Sequence, residues 1–434
     1  MMLEEYLRRN ADIYSGKTAV ACSGVQITYR QLYDEAARRA RQLDVRGRLV
    51  PFRASQTIDF IVDYFSVHLA GGVAVPLEAD LSDAAFMRYQ SLCRSSVVPE
   101  GTADVLFTTG TTGTPKGVVV SSGAIVADAE NLVEAQGYTH DTTFVVNGPL
   151  NHIGSLSKIY PIILVGGTIY IVGGMKNADA FFKAVDEAGG NAATFLVPAS
   201  IRMLLAFAEK RLASCRDKID FMETGAAPIS SADMQHLCSV LPKSRLFNTY
   251  ASTETGIIAT YDFNGGECLA GCLGKAMRNS AFSTAPDGHI VCSGKTLMTG
   301  YLDDADATAA VLRDGEVHTA DFGYIDDEGR LRLTGRAGDV INVGGYKVIP
   351  TEVEDVAMSL PSVSDCVCVA ASHPVLGQVL KLLVVVADGF CFEPRLIAQK
   401  LKERLEPYKV PQTYARVETV KRTFNGKIDR KAYR

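Results

Sequence analysis

Phe107-Thr108-Thr109-Gly110-Thr111-Thr112-Gly113-Thr114-Pro115-Lys116-Gly117 is the most informative stretch of the chain. It continues the β-rich run Val105-Leu106-Phe107, and it holds three glycines, five threonines and one lysine. Glycines let backbone N–H groups approach an anion, threonine hydroxyls add donors and the lysine adds charge, which suits a polyphosphate cradle. Composition alone leaves a surface turn as the alternative. A Walker A loop is excluded, because Pro115 precedes the lysine and Gly117 follows it, against the G-x-x-x-x-G-K-[ST] order.

Around this loop the chain alternates between strand and helix patterns. Val73–Leu77, Thr143–Val146, Thr168–Val172 and Ala193–Val197 are short β-rich runs. Helical spacing marks Thr28–Ala40, with Thr28 as N-cap, and also Phe60–Leu69, Asp179–Ala188 and Ser200–Arg211. This alternation implies an α/β fold built on mostly parallel sheets with helices on their faces. Composition changes near residue 336. Residues 336–434 carry 15 Lys/Arg against 11 Asp/Glu, a net +4, leaving −9 for residues 1–335. A hairpin over 340–349, a helix opened by a Thr351-x-x-Glu354 capping box, strands at 363–370, 381–386 and 414–420, and a helix at 394–405 describe a small α+β domain. The expected division is 1–335 and 336–434.

The 434 residues are 47% hydrophobic and 21% charged, with net charge −5, so the chain is expected to be globular and not a general binder of nucleic acid. Ten scattered cysteines suit a reducing, cytoplasmic setting rather than a disulfide scaffold. The charged start Met1–Arg9 is no signal peptide, and the most apolar stretch, 160–174, is too short to span a bilayer.

Three further clusters carry chemistry. Asn248-Thr249-Tyr250-Ala251-Ser252-Thr253-Glu254-Thr255-Gly256 sets hydroxyls beside one carboxylate, a set able to hold Mg2+ and phosphate oxygens together. Asp321-Phe322-Gly323 invites a protein-kinase reading, but no H-R-D loop precedes it and no G-x-G-x-x-G loop exists. Asn425-Gly426-Lys427 near the C-terminus reads, by itself, as solvated surface charge.

Taken in order, these segments resemble the adenylate-forming enzymes, the superfamily of acyl- and aryl-CoA synthetases, peptide-synthetase adenylation domains and firefly luciferase. The loop at 107–117 resembles that family's phosphate loop, and Pro149-Leu150-Asn151-His152-Ile153-Gly154 its acyl-pocket motif. Gly225-Ala226-Ala227-Pro228 resembles its adenine-binding strand, and Tyr250–Glu254 its Tyr-Gly-x-Thr-Glu motif. Asp321, Gly335-Arg336, Gly344-Gly345-Tyr346-Lys347 and Asn425-Gly426-Lys427 complete the set.

The resemblance implies adenylation of a carboxylic acid by Mg-ATP, followed by displacement of AMP by a thiol. It implies that Thr108, Thr109, Gly110, Thr111, Thr112, Gly113 and Lys116 hold phosphates. Gly225, Ala226, Ala227, Asn248, Tyr250, Ala251 and Ser252 border the nucleotide, Asp321 accepts the ribose hydroxyls and Arg336 supports it. Glu254 is the implied Mg2+ ligand, with Thr253 on phosphate, and Lys427 the bridge between carboxylate and α-phosphate. His152, Ile153, Ser155, Val197, Thr224, Gly225 and Ala251 frame the acid pocket, with His152 beside the carboxylate or thiol path. Gly344, Gly345 and Lys347 line the coenzyme A path on a small domain that swings about Gly338. The expected partners are a small acid, ATP and coenzyme A, in a monomer or homodimer. Two alternatives stay open: loading of an acyl carrier protein, and a non-catalytic nucleotide-binding homologue, against which Lys427 and Glu254 argue. Only residues 78–106 separate the Val73–Leu77 strand from the phosphate loop, so the N-terminal subdomain is expected to be abbreviated. Ala251 stands where the family has glycine, and both departures bear on substrate size.

Overall fold

A computed structural model of the chain describes residues 1–108, 115–175, 178–374, 377–423 and 428–433. Among these, the parallel core runs through Arg245–Ser252, Ile219–Gly225, Ala192–Phe195, Thr143–Val146, Thr168–Ile171 and Thr18–Cys22, each parallel to the next. Side-chain alternation puts these strands between two apolar layers. Phe144, Val146, Phe221 and Phe247 enter one core with the helices Tyr29–Ala40, Ile58–Leu69 and Ser122–Gln136. Val145, Met222 and Leu246 enter the other, with Ala178–Glu187, Pro198–Phe207 and Ser231–Val240. Thr28 caps its helix as expected: its hydroxyl accepts from the Gln31 N–H while the Gln31 side chain accepts from the Thr28 N–H.

The sheet is not parallel throughout. Beyond Arg245–Ser252 it continues antiparallel through Gly256–Asp262, Cys272–Ala276, Leu331–Arg336, Glu316–Ile325, His289–Gly294 and Ser280–Thr284. A second sheet holds Leu49–Arg53, Val73–Leu77, Thr102–Thr108, Lys116–Ser121 and Gly300–Tyr301. Within it Thr102–Thr108 and Lys116–Ser121 form a hairpin in which Thr108 faces Lys116. Residues 109–114, between these two strands, lie outside the described residues.

A third sheet contains Tyr346–Val348, Ile341–Val343, Gly377–Val386, Val363–His373 and Thr413–Arg416, over a core of its own with the helices Pro350–Met358 and Pro394–Lys402. Gly344 and Gly345 take φ of +57° and +96° at its hairpin turn, the left-handed pair that a two-residue turn favours. The expected capping box at Thr351 and Glu354 is not formed. The helix starts at Pro350 with Ile349 as N-cap, and both side chains make tertiary contacts instead. Thr351 Oγ1 donates to the Thr334 carbonyl at 2.8 Å, and Glu354 receives Arg430 at 2.7 and 2.8 Å and the Cys368 N–H at 2.7 Å. Two smaller corrections apply. The helical stretch 200–211 is broken at Ala208 into Pro198–Phe207 and Glu209–Ser214, and the last strand is only Thr413–Arg416. Among the described residues no helix is long and apolar enough to cross a membrane.

Candidate active site

The site is assembled where the parallel half of the large sheet meets its antiparallel extension. Asp321 on Glu316–Ile325 is buried, with both carboxylate oxygens engaged. The Tyr250 hydroxyl donates to Oδ2 at 2.8 Å and Arg336 Nε donates to Oδ1 at 2.6 Å. Three residues separated by up to 86 positions in sequence thus form one cluster, because Glu316–Ile325 pairs with Leu331–Arg336, and only Gly256–Asp262 and Cys272–Ala276 separate that pair from Arg245–Ser252 in the sheet. Burial, and then the Asp321 charge, push the Tyr250 hydroxyl well above its ordinary pKa, so it remains a donor. The strand bulges between Tyr250 and Ala251, which re-aims the following Ser252–Thr255 turn.

That turn is tightly held. The Thr255 N–H donates to Ser252 Oγ at 3.1 Å, and the Ser252 N–H to Thr255 Oγ1 at 3.1 Å. Asp128 Oδ1 accepts the Ile257 N–H at 2.7 Å, and the Asn131 amide donates to the Ile257 carbonyl at 2.9 Å. Gly256, at φ +67°, has no room for a side chain, since an added Cβ would lie 2.6 Å from the Thr296 carbonyl oxygen and 2.7 Å from Asp128 Oδ1. Thr253 and Glu254 are half-buried on this turn. Glu254 Oε1 accepts the Tyr301 hydroxyl at 3.0 Å, and Lys116 Nζ stands 4.7 Å from the centre of the Tyr301 ring. Tyr301 therefore links Lys116, the first residue of the strand Lys116–Ser121, to Glu254. Burial, and then Glu254, push its hydroxyl pKa up. A single carboxylate is what an Mg2+ ion carried in on nucleotide phosphates asks of a protein, so Glu254 fits that role.

The adenine-motif strand Ile219–Gly225 is parallel to Arg245–Ser252, with Gly225 opposite Thr249. A Cβ at Gly225 would sit 2.8 Å from the Thr249 carbonyl oxygen, so only glycine lets the strands close up there. Ala226 then turns out with φ +65°, a strained value for a residue with a Cβ, and is exposed. Ala227 is half-buried beside it. Asn248 is buried and donates its amide to the Cys272 carbonyl at 2.9 Å, so that amide is engaged by the strand next but one in the sheet. The Ser252 hydroxyl is likewise used within its turn, bonded to Thr255.

On the acid side, His152 precedes the short helix Ile153–Leu156 and is half-buried with Ile153, while Ser155 and Thr224 are buried. Phe195, a residue that sequence reasoning missed, spans this region. Its ring lies 3.3 Å from where a Cβ on Gly154 would be and 3.6 Å from one on Gly225. Val197 is half-buried two residues on, at the N-cap of Pro198–Phe207. Gly338 lies in the 3-10 turn Ala337–Asp339, and Lys347 is exposed on the hairpin with Gly344 and Gly345. Thr109, Gly110, Thr111, Thr112, Gly113 and Lys427 fall outside the described residues.

The residues missed by sequence reasoning are Tyr301, Phe195 and Asp128. Each belongs to an unremarkable local pattern, and Tyr301 lies 47 positions from its partner Glu254.

Comparison with known proteins agrees with this geometry. The family model described as AMP-binding enzyme matches residues 7–99 and 91–302, and the AMP-binding enzyme C-terminal domain matches 352–427. The two stretches of the first match overlap at 91–99, within the segment 78–106. The chain is 26% identical to an indoleacetate–CoA ligase of Aromatoleum aromaticum, covering 99% of this chain and 96% of that one. It is 25% identical to a 2-succinylbenzoate–CoA ligase of Bacillus cereus, covering 100% and 98%. Its fold matches that of o-succinylbenzoate CoA synthetase from Bacillus subtilis, solved with its acyl-adenylate intermediate, at TM-score 0.84 and 22% identity, covering 99% and 97%. With the family models spanning most of its length, and the Tyr250–Asp321–Arg336 cluster and the Glu254 turn in place, the chain belongs to the AMP-binding enzyme family.

Proposed function

We propose that the chain is an AMP-forming acid–thiol ligase that joins a small carboxylic acid, aryl or medium acyl, to coenzyme A. The observation that carries this reading is the meeting of two devices at the end of the strand Arg245–Ser252. One is a buried carboxylate flanked by Tyr250 and Arg336, able to accept two ribose hydroxyls; the other is a hydrogen-bonded turn presenting Glu254, which Tyr301 links to Lys116. The relatives named above act on acids and coenzyme A, which supports the same chemistry here.

In the first step the acid's carboxylate oxygen bonds to the α-phosphorus of ATP and the bond to pyrophosphate breaks. In the second, a thiol sulfur bonds to the acyl carbon and AMP leaves. Two anions must meet in the first step, so cations have to stand between and around them. Lys427 is assigned to bridge carboxylate and α-phosphate, Lys116 and residues 108–113 to hold the outer phosphates, and Thr253 to contact phosphate. Mg2+ on Glu254 would neutralise phosphate charge. Tyr250, Gly225, Ala226 and Ala227 border the adenine, and His152, Ile153, Ser155, Val197, Thr224 and Ala251 the acid. Residues 336–434 are assigned as a mobile domain pivoting at Gly338 and bringing Gly344, Gly345 and Lys347 to the thiol. Ten free thiols suit the reducing cytoplasm, the compartment assigned.

The test is ATP-dependent pyrophosphate release across a carboxylic-acid library, with and without coenzyme A. Release together with an acyl-CoA product is the expected result. Release without thioester would point to a carrier-protein phosphopantetheine as acceptor, and no release with any acid would refute the ligase reading in favour of a non-catalytic nucleotide binder.

A further inference from the structure

Beside the acid-binding face lies a buried ion pair that the proposed reaction leaves unused. The Lys158 and Glu223 side chains are each 1% exposed, with Nζ 2.8 Å from Oε1. Glu223 stands two residues before Gly225 on its strand, and Lys158 directly precedes the helix Ile159–Val165, just beyond Ser155. The Lys158 ammonium is 5.4 Å from the centre of the Phe195 ring, the same ring that borders Gly154 and Gly225.

A buried ion pair seldom adds net stability, because desolvation of both charges offsets their attraction unless every lone pair is also satisfied. Here that condition is unmet. Glu223 Oε2 has no hydrogen-bond partner among the described residues. Fewer than about one in ten buried polar atoms lack a partner, and such an atom beside a binding face marks where a ligand group completes the network.

We propose that the Lys158–Glu223 pair determines specificity for the acid, selecting an aryl carboxylic acid whose end remote from the carboxylate carries a hydrogen-bond donor. A phenolic hydroxyl or an aromatic amine would donate to Glu223 Oε2, while Lys158 balances the carboxylate charge and Phe195 packs along the substrate ring. Glycine at 154 and 225 lets the Phe195 ring pack close to both backbones, which sets that ring against the strand two residues beyond Glu223. This inference rests on the acid–thiol ligase reading above. One competing arrangement exists within the chain. The Tyr138 hydroxyl is also without a partner, and it lies near enough for Glu223 to raise its pKa, after burial. A water trapped between the two would make the pair a packing element only.

The experiment measures kcat/KM for pyrophosphate release with benzoic and cinnamic acids bearing para-hydroxy, para-amino or para-methyl groups or none. The para-hydroxy and para-amino acids are expected to exceed their para-methyl isosteres by about ten- to a hundredfold. In the paired variant Lys158→Met with Glu223→Leu, which removes both charges together, that ratio should fall towards one. Equal rates for donor and methyl acids in the wild-type enzyme, or an unchanged ratio in the paired variant, would overturn the proposal while leaving the ligase reading intact. Should the paired variant not fold, the wild-type ratios, together with thermal shifts produced by the same acids with MgATP, decide the matter. No release with any acid of the wider library overturns both readings.

Discussion

Asp128 offers a measurement of how the turn carrying Glu254 is stabilised. Its carboxyl is 2% exposed, and burial, partly offset by the Ile257 N–H and by Lys158, moves its pKa from 3.8 to about 7. The folded chain therefore binds that proton more tightly than the unfolded chain. Stability falls as pH rises from 3.8 towards 7 and levels off above. At ~1.4 kcal/mol per tenfold change in proton affinity, the stability lost relative to acid pH, where Asp128 is protonated in both states, is roughly 1.6 kcal/mol at pH 5 and roughly 4 kcal/mol at pH 8. Asp128→Asn keeps an oxygen to accept the Ile257 N–H and has no charge to bury. The variant should gain on the wild type by about 2.5 kcal/mol more at pH 8 than at pH 5, read from urea unfolding at the two pH values. Other groups titrate in this range. Asp355 is pushed up to about 7 by burial and by Glu354, Glu352 and Asp233, and His68 is raised by Asp104 against its own burial. Both are present in wild type and variant alike, so they cancel in the difference. Asp128→Leu removes the acceptor, leaves the Ile257 N–H unpaired and should slow pyrophosphate release, whereas Asp128→Asn should not. Parallel stability curves for wild type and Asp128→Asn would refute the reasoning, since they would mean that Asp128 ionises as an exposed carboxylate does.

Lys427→Ala is expected to lower pyrophosphate release by about 10²- to 10³-fold while leaving thioester formation from a supplied acyl-adenylate largely intact; equal loss in both half-reactions would make Lys427 structural. Tyr301→Phe keeps the ring beside Lys116 but loses the 3.0 Å bond to Glu254, so the Mg2+ concentration for half-maximal rate should rise about three- to tenfold, and an unaltered metal titration would detach Tyr301 from the site. Gly338 has an ordinary φ, and an added Cβ there would meet nothing within 4 Å, so Gly338→Ala should not lower the melting temperature. Gly338→Pro, with φ locked, should spare one half-reaction and abolish the other, and a stable proline variant with both steps intact would place the pivot elsewhere.

Much of the framework was legible in the sequence because it depends on local physics. The capping box at Thr28, the strands at 73–77 and 143–146 and the two-glycine hairpin turn at 344–345 all follow from residues within a few positions of one another. Local rules also misled. Thr351-x-x-Glu354 has the spacing of a capping box, yet Thr351 ties its helix to Thr334 and Glu354 is claimed by Arg430. Two charge-assisted bonds to a guanidinium and one to a buried N–H outweigh one bond to a helix end that Pro350 already leaves with one fewer donor to satisfy.

The sequence by itself determined the α/β alternation, the change of charge at residue 336 and the identities of Tyr250, Glu254, Asp321 and Arg336, since strand and helix patterns and the order of motifs are one-dimensional properties. Only the tertiary structure decided that Thr102–Thr108 and Lys116–Ser121 pair as a hairpin, that the large sheet turns antiparallel beyond Ser252, that Tyr301 bonds Glu254, that Phe195 packs by Gly154 and Gly225, that Asp128 holds the Ile257 N–H, and that Lys158 pairs with Glu223. Those residues act through partners distant in the chain. Whether a tyrosine bonds a carboxylate 47 positions away, or a lysine buries its charge against a glutamate 65 positions away, is settled by how sheets and helices pack together, and no local pattern records it.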